Sequence, residues 1–344
     1  MIRRFAQRPS FACTVFKNLS LYRCDASAAQ TPLDALEAAL DRARFQPCAP
    51  TQEKSVGWVE PRGLDHAALV EAVNGQRLLR LRVETRAVPG DVLRRAVQER
   101  AAQIEHSTGR KPGRKEMRDL RDDLRLELLP QAFTKQASVW VWIDPEAGLL
   151  AIDSTSAPRL DDVLTALSHA LPALAPRLLQ TSLSPQAGMT QWLAAASPDE
   201  WPGALAVERE CELRSGDEQK SVVKLVRLDL LNDEVRQHLA RGLRPTRLAL
   251  SWDGRVAFML TESLQLRRVQ FLEGVFDAAG DVDPSERFDT DATLCTAELQ
   301  RAIAGLVEAL GGETESAGAT AAAPNADASA PAPLAPAAAE DPPF

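Results

Sequence analysis

The chain has 344 residues, of which 45% are hydrophobic and 26% charged, and its formal net charge is −8. This length allows two or three domains, and no run of about 18 apolar residues predicts a membrane-spanning helix. The five cysteines form no C-x-x-C pair, which argues against a zinc site or a disulfide framework and for reduced thiols in a cytoplasmic protein.

The chain begins with a short basic stretch, followed by a region of mixed structure. Residues 1–13 lack the apolar core of a secretory signal, and we interpret them as a disordered leader. Residues 14–89 contain a predicted strand in VFKNLSLYR and a predicted helix in TPLDALEAALDRAR, with Thr31 as its N-cap. The stretch RLLRLRVETR alternates, which predicts a half-buried strand with Arg80 and Arg82 on a mostly basic outer face.

Residues 90–133 are predicted to be helical and are strongly charged. DVLRRAVQERAAQIE predicts one helix, GRKPG interrupts it, and a second helix is predicted from about Arg114 to Leu129, before Pro130. Two helices with a short break predict a helical hairpin that projects from the body. Between residues 77 and 135 there are 15 Lys/Arg against 9 Asp/Glu, in a chain that is acidic overall.

The second predicted helix gathers four arginines on one edge. At 100° per residue, Arg114, Arg121 and Arg125 fall within about 60° of Arg118, beside an apolar stripe. A solvated amphipathic helix accounts for many charge runs, but this separation of charges favours a functional basic face. A basic patch in an acidic protein indicates a polyanionic partner, which is either nucleic acid or an acidic protein surface.

Residues 134–310 contain two hairpin patterns. SVWVWIDPEAGLLAID and TRLALSWDGRVAFML each place a turn between alternating apolar segments, with Asp253 and Gly254 as a typical two-residue turn. Helices are predicted at about 159–171, 233–241 and 297–310. Strands mixed with helices predict an α+β fold with antiparallel sheets. The Ala/Pro-rich residues 311–344 are predicted to be a disordered tail.

Motifs for catalysis or for reading bases are missing from the sequence. GRKPGRKEM lacks the spacing and the final hydroxyl of a phosphate-binding loop. With 5% aromatic residues, we expect contacts mainly to phosphates, and therefore salt-sensitive binding with little sequence preference. Asp144, Glu146 and Asp153 bracket one hairpin as conceivable nuclease ligands, but Asp144 precedes Pro145 and fits a turn better. The sequence predicts no catalytic residue, metal or cofactor.

Several segments together resemble the RdgC family of bacterial recombination-associated proteins. The similarity runs in order through VFKNLSLYR, FQPC, VGWVEP, NGQ, LLPQAF, WIDPEAGLLAID, TRLALSWDGRVAFML and RFDTDATLCTAELQRAIAGLVEALGGE. It covers essentially residues 14–313, so the leader and the tail lie outside it. The resemblance implies a ring-shaped homodimer whose positively charged central hole encircles double-stranded DNA. It also implies binding to single-stranded DNA, association with the nucleoid, antagonism of RecA-filament activities and no enzymatic activity.

The resemblance also assigns roles to individual positions. Arg110 and Lys111 match basic positions of the family's helical tip, and Phe133 matches an aromatic residue that helps close the ring between subunits. Lys224 and Arg227 match a basic segment near the other subunit contact. Leu228 stands in that segment where a polar residue is common, and we place it with Phe133 at the dimer interface.

The leading hypothesis is a non-enzymatic, sequence-tolerant DNA-binding protein that acts as a ring of two copies. The residues expected to contact DNA are Arg80, Arg82, Arg110, Lys111, Arg114, Lys115, Arg118, Arg121, Arg125, Lys224 and Arg227. One alternative is a protein-interaction module whose basic helix binds an acidic partner, with RecA as a candidate. A second alternative is a metal-dependent nuclease that uses the carboxylates near Asp144 and Asp153.

Overall fold

A computed structural model describes residues 15–64, 66–216, 221–272, 274–276 and 286–314. The predicted leader lies outside these residues, as does all of the predicted tail beyond residue 314. By its internal contacts the chain divides into a compact unit of residues 1–313 and a second unit of residues 314–344. The strands and helices of the described residues all belong to the first unit.

One antiparallel sheet of twelve strands runs through the described part of the first unit. The strands are β1 (Asn18–Arg23), β2 (Lys54–Val59), β3 (Val70–Val73), β4 (Gln76–Arg86), β5 (Thr134–Asp144), β6 (Leu149–Asp153), β7 (Arg177–Leu178), β8 (Leu205–Arg214), β9 (Val222–Val226), β10 (Arg244–Trp252), β11 (Val256–Thr261) and β12 (Gln265–Phe271). Their order is β2-β4-β5-β6-β1-β12-β11-β10-β8-β9, with β3 beside β4 and β7 beside β1.

The described residues also form eight α-helices, which confirms the predicted α+β class. The helices are α1 (Ala26–Ala29), α2 (Leu33–Asp41), α3 (Gly90–Thr108), α4 (Arg114–Leu128), α5 (Ala157–Ala170), α6 (Pro185–Ala194), α7 (Asp233–Ala240) and α8 (Arg287–Ala309). Short 3₁₀ turns lie at Leu129–Gln131, Pro172–Leu174 and Pro198–Glu200. Within the described ranges, no helix combines the length and the apolar character needed to cross a membrane.

The sheet has two halves, and helices cover opposite faces of them. In the first half, which contains β2, β4, β5 and β6, Leu81 and Val141 lie in one core with Leu36 of α2 and Val163 of α5. In the second half, which contains β8 to β12, the other face of the sheet packs against α6, α7 and α8, with Leu248 in its core. Each half therefore keeps one face that is largely free of helices.

Several predicted turns and strands are confirmed, and two helix ends need correction. Thr31 does not cap α2, because Pro32 precedes the helix and the Thr31 hydroxyl donates instead to the Ala28 carbonyl at 2.6 Å. The helix predicted from residue 297 is the second half of α8. Its polar first turns, which hide the helical pattern, are held by a tertiary ion pair between Asp289 and Arg62 at 2.6 Å.

Candidate nucleic-acid interface

Helices α3 and α4 form the predicted helical hairpin, and we call residues 90–128 the hairpin. Leu93, Val97 and Leu124 are buried between the two helices, in a small core separate from those of the sheet. Gly109 ends α3 with φ 71°, a left-handed conformation that glycine adopts without strain. Because the apolar stripes face each other, the charged residues of both helices lie on the outside.

One edge of α4 carries exposed cations that have no ion-pair partner among the described residues. Arg114, Lys115, Arg118 and Arg121 are exposed. Among the residues that the structure describes, none of the four has an ion pair or a side-chain hydrogen bond. We call these four residues the free edge. Arg125, predicted to belong to the same face, instead pairs with Glu53 of the body, its Nη2 lying 2.8 Å from Oε1.

The tip of the hairpin is also cationic, but its charges are paired. Arg110 donates through both terminal nitrogens to the Glu116 carboxylate, at 2.8 and 2.7 Å. Glu116 also accepts from the Gly113 amide at 2.8 Å and so caps α4. The hydrogen bond from Arg110, followed by that from Gly113, lowers the pKa of Glu116 to about 2. Lys111 lies 4.0 Å from Glu105. The tip therefore offers less uncompensated charge than the free edge.

A second set of free cations lies on the uncovered face of the first half of the sheet, which we call the first open face. The Arg80 guanidinium lies 5.4 Å from the centre of the Trp140 ring, and the Arg82 guanidinium lies 5.4 Å from the centre of the Phe45 ring. Neither arginine has a carboxylate partner among the described residues. Burial, followed by repulsion from Arg82, lowers the pKa of Arg80. An anionic ligand would offset both effects, because an opposite charge nearby favours the charged form of the guanidinium.

The uncovered face of the second half, which we call the second open face, is built differently. At its centre lies Glu212, which is only 6% exposed. Its carboxylate pairs with Arg214 at 2.7 Å, with Arg247 at 3.4 Å and with Lys224 at 3.7 Å. Burial alone would raise the pKa of Glu212, but the hydrogen bond from Arg214 and the charges of Arg247 and Lys224 outweigh it, so the pKa is lowered.

Two neighbouring cations of the second open face also have polar partners. Arg268 of β12 pairs with Glu210 of β8 at 2.8 Å, and a cavity of about 340 Å³ lies beside this pair. Arg267 donates to the Thr155 hydroxyl at 2.8 Å. Arg227, just beyond β9, is exposed and has no ion pair within the described ranges. Of the two cations predicted here to contact DNA, Lys224 is therefore paired and Arg227 is free.

The strand register shows how the two open faces are related. Directly paired residues share a face, and side chains alternate along each strand. Leu78 lies on the same face as Arg80. From Leu78, a series of residues on that face crosses the sheet strand by strand and ends at Leu225 of β9. Between them the series contains Trp142, Ala151, Asp153, Leu19, Leu266, Leu260, Leu248 and Cys211. Lys224, next to Leu225, points the other way. The predicted DNA contacts on β4 and β9 thus lie on opposite faces of one sheet.

The two residues predicted at the dimer interface lie in separate exposed apolar regions. Phe133, directly before β5, is 96% exposed. Leu228 follows β9, an edge strand of the sheet, where Val222 and Val226 are also exposed. An aromatic side chain in water and an unpaired strand edge with apolar residues are features of surfaces that bind a partner.

The carboxylates considered for a nuclease serve as local hydrogen-bond acceptors. Asp144 is fully buried, and its Oδ1 accepts from the amides of Glu146 and Ala147, both at 3.0 Å. Asp153 Oδ1 accepts from the Asn18 amide at 2.7 Å, and burial raises the pKa of Asp153. Within the described part of the chain, no three His, Cys, Asp or Glu side chains are grouped as metal ligands.

Comparison with known proteins gives a consistent family assignment. The family model described as "Putative exonuclease, RdgC" matches residues 14–313. The chain belongs to the RdgC family. It is 42% identical over 298 residues to the recombination-associated protein RdgC of Cupriavidus pinatubonensis, which covers 86% of this chain and 98% of that protein. The corresponding proteins of Herminiimonas arsenicoxydans and Dechloromonas aromatica are 41% and 38% identical, over 86% of this chain and 97% of each relative.

This RdgC-family chain has features of the interface that the sequence reasoning missed. The sequence analysis did not relate Arg80 to Trp140 or Arg82 to Phe45, the aromatic residues over which the two arginines lie. For Trp140 a signal existed, because alternation places Trp140 and Arg80 on facing positions of neighbouring strands. For Phe45 the sequence contains no such signal, because Phe45 lies in a loop that reaches the sheet only through tertiary contacts. Arg86, on the same side of β4 as Arg80 and Arg82, donates to three backbone carbonyls.

Proposed function

We propose that this RdgC-family protein binds DNA without marked sequence preference, as a homodimer closed around the duplex, and that it needs no metal or cofactor. One observation carries the proposal: the free edge and the first open face hold cations that no carboxylate of the described residues neutralises. Elsewhere many arginines are paired, as Arg44 is with Asp41 and Arg255 with Glu298. Free cations gathered in two places within an acidic protein fit a polyanion.

Phosphates are the part of DNA that these side chains fit best. Arginine and lysine contacts to phosphate release counterions, which supplies affinity without reading the sequence. The guanidinium groups of Arg80 and Arg82 lie over aromatic rings that fix their planes. Single-stranded DNA carries the same phosphates, so it is expected to bind as well, with a weaker salt dependence per contact.

Two copies closing into a ring would explain the two separate exposed apolar regions. Phe133 and the β9 edge lie in different parts of the fold, and a twofold dimer that uses both would enclose a passage between them. Burying Phe133 in a partner would remove a large apolar side chain from water, a gain of about 2 kcal/mol per copy.

The twist of the sheet supports a shared passage even though the two sets of predicted contacts occupy opposite faces. Neighbouring strands in a sheet rotate by about 20 to 25° with respect to each other. Eight strand-to-strand steps separate β4 from β9. At the usual rotation these steps accumulate to on the order of 160 to 200°, which would turn the two open faces toward the same side.

A nuclease is the competing proposal, because the matching family model is named for an exonuclease. Cleavage requires carboxylates that can reach the scissile phosphate through a metal ion. The Asp144 side chain is fully buried, and both Asp144 and Asp153 hold backbone amides. These observations favour binding without cleavage. Incubation of end-labelled duplex with magnesium or manganese tests this choice, and shortened strands that disappear in an Asp153→Ala variant would support the nuclease.

The relatives are named recombination-associated proteins, and we extend this role to the chain described here. A dimer that occupies DNA without reading its sequence would lie along the nucleoid and limit the access of RecA. A hairpin that docked on RecA itself, or on another acidic protein, would leave duplex affinity unaffected by mutations of the free edge.

The salt dependence of duplex binding tests the proposal directly. Each phosphate contact lowers the logarithm of the affinity by about 0.9 for each tenfold increase in salt. Six cations in each of the two copies would therefore give a slope of up to about −11, identical for duplexes of unrelated sequence. A slope near zero, or a strong preference for one sequence, would contradict the proposal. Dimer mass by light scattering, for the wild type and for a Phe133→Ser variant, tests the ring contact independently.

A further inference from the structure

One arginine at the base of the hairpin makes three hydrogen bonds. Arg86 is the last residue of β4 and pairs with Thr134, the first residue of β5, so the hairpin leaves the sheet between them. Its Nη1 donates to the carbonyls of Pro130 and Ala132, at 3.1 and 3.3 Å. Its Nη2 donates to the Cys48 carbonyl at 3.3 Å. One side chain thus joins the strand, the segment that returns from the hairpin and the loop before β2.

A neighbouring acidic residue, Glu84, holds the same loop at Cys48. Glu84, buried two residues earlier, accepts from the Cys48 amide at 2.8 Å, and its other oxygen accepts from the Gln136 side chain. The hydrogen bond from Gln136, followed by that from Cys48, lowers the pKa of Glu84. The loop at Cys48 is therefore held at both its amide and its carbonyl, which gives Arg86 a fixed anchor on the body.

These contacts distinguish Arg86 from the other arginines on its side of the strand. Arg80 and Arg82 have no hydrogen-bond acceptor among the described residues, whereas Arg86 uses its terminal nitrogens on three carbonyls. A guanidinium has five N–H donors in a fixed plane, so binding these carbonyls fixes its orientation. An arginine committed in this way is poorly placed to bind a phosphate.

We propose that Arg86 is a positioning residue that sets the angle of the hairpin against the sheet and does not itself contact DNA. The segment that it holds, Pro130 to Ala132, connects the free edge to Phe133, so the same contacts set the direction in which Phe133 points. This inference rests on the proposed function for its biological meaning. Its structural part is independent of DNA.

The structural part can be tested without DNA. Spin labels on cysteines introduced at Asp119 of the hairpin and Asp34 of the body report the distance between them by pulsed electron resonance. In an otherwise wild-type chain we expect one narrow distance distribution. Arg86→Ala is expected to broaden or shift it, and Arg86→Lys, which can still donate to one or two carbonyls, to restore it in part. An unchanged distribution in Arg86→Ala would overturn the proposal.

The functional part is tested by duplex affinity, with Arg82→Ala as the matched control. Losing one phosphate contact in each of the two copies at 0.1 M salt costs about 60-fold in affinity and reduces the salt slope by about 1.8. We expect this result for Arg82→Ala. For Arg86→Ala we expect a loss above about 1,000-fold, because several hairpin contacts are misplaced together. A loss of about 60-fold or less with an unchanged distance would make Arg86 an ordinary contact and refute the proposal.

The two measurements separate failure of this inference from failure of the proposed function. If the wild-type protein binds duplex without salt dependence, the proposed function fails, and the distance measurement still decides the role of Arg86. A general loss of folding in Arg86→Ala would appear as a lowered melting temperature. In that case Arg86→Lys, measured at a temperature where it is fully folded, gives the decisive comparison with the wild type.

Discussion

Both open faces of the sheet carry cations but use them differently. On the first open face, Arg80 and Arg82 lie over Trp140 and Phe45 and form no ion pair with a carboxylate of the described residues. On the second open face, Glu212 alone binds three cations. The same residue type therefore stabilises the fold in one place and remains available to a ligand in the other.

This difference shows that the number of arginines does not locate a polyanion site. A buried carboxylate that pairs with three cations cancels one of their charges and holds all three side chains in place, so they are less available to a ligand. An arginine packed on an aromatic ring is held in place without losing its charge. The hairpin repeats the contrast on a smaller scale, with a paired tip at Arg110 and a free edge at Arg118.

The largest expected effect comes from reversing charge on the free edge. Changing Arg114, Arg118 and Arg121 together to glutamate removes three phosphate contacts from each copy of the dimer, and each contact contributes about 0.9 log units at 0.1 M salt. We expect a loss of duplex affinity on the order of 10⁵-fold, measured by fluorescence anisotropy, with the dimer mass unchanged.

A matched control for this change lies elsewhere on the body. Arg159 lies in α5, and Arg42 and Arg241 directly follow α2 and α7. All three are exposed and lie outside the hairpin, and reversing them changes the net charge equally. We expect this control to lose less than about tenfold, through the long-range field alone. Equal losses in the two triple variants would mean that net charge, and not the free edge, determines binding.

A smaller effect is expected on the first open face. Replacing Arg80 and Arg82 with glutamine removes two contacts from each copy, and we expect about a 4,000-fold loss of affinity and a salt slope reduced by about 3.6. The matched change on the second open face is Lys224→Gln, for which we expect less than about threefold, because Lys224 is already paired with Glu212. A loss at Lys224 as large as that at Arg80 would remove the distinction between the two faces.

Much of the fold could be predicted from the sequence, because it follows from local patterns. Alternation fixed the burial of Leu79, Leu81 and Val83 on β4, and Asp253-Gly254 forms the predicted turn with φ values of 50° and 59°. The hairpin could be predicted as well, since the Pro-Gly break and two apolar stripes specify it. These features depend on neighbours within a few residues.

The pairing of charges could not be predicted, because it depends on tertiary contacts. Helical geometry placed Arg125 with Arg118, but Glu53, which neutralises it, is 72 residues away in the chain. Glu212 and Arg247 are 35 residues apart and meet only across β8 and β10. A sequence gives the charge of each side chain, and the fold decides whether a partner cancels it.

The second open face is expected to affect stability more than binding. Glu212→Gln leaves three cations without their counter-ion and should lower the free energy of unfolding by about 1 to 3 kcal/mol, measured in urea. Because the pKa of Glu212 is lowered in the folded state, its contribution is present above the usual value of 4.5 and is lost as pH falls below it.

The pH dependence and a second variant test whether this loss is specific to Glu212. The stability difference between wild type and Glu212→Gln should shrink as pH falls from 5 toward the lowered pKa. Glu308→Gln, an exposed change on α8, serves as the control and should have little effect at any pH. Duplex affinity of Glu212→Gln is expected within about threefold of wild type, whereas a large gain would reveal that the three cations contact DNA.

The smallest effect concerns the paired tip of the hairpin. Carbon NMR of the Glu116 carboxyl group should give a pKa of about 2, and Arg110→Gln should raise it toward 4.5, because the Arg110 hydrogen bond is the largest cause of the shift. Since the folded pKa is lowered, the pair stabilises the tip above pH 4.5 and loses this effect as pH falls toward 2. At neutral pH, Arg110→Gln should weaken duplex binding less than Arg118→Gln does. The reverse order would mean that Arg110 leaves Glu116 to bind a phosphate.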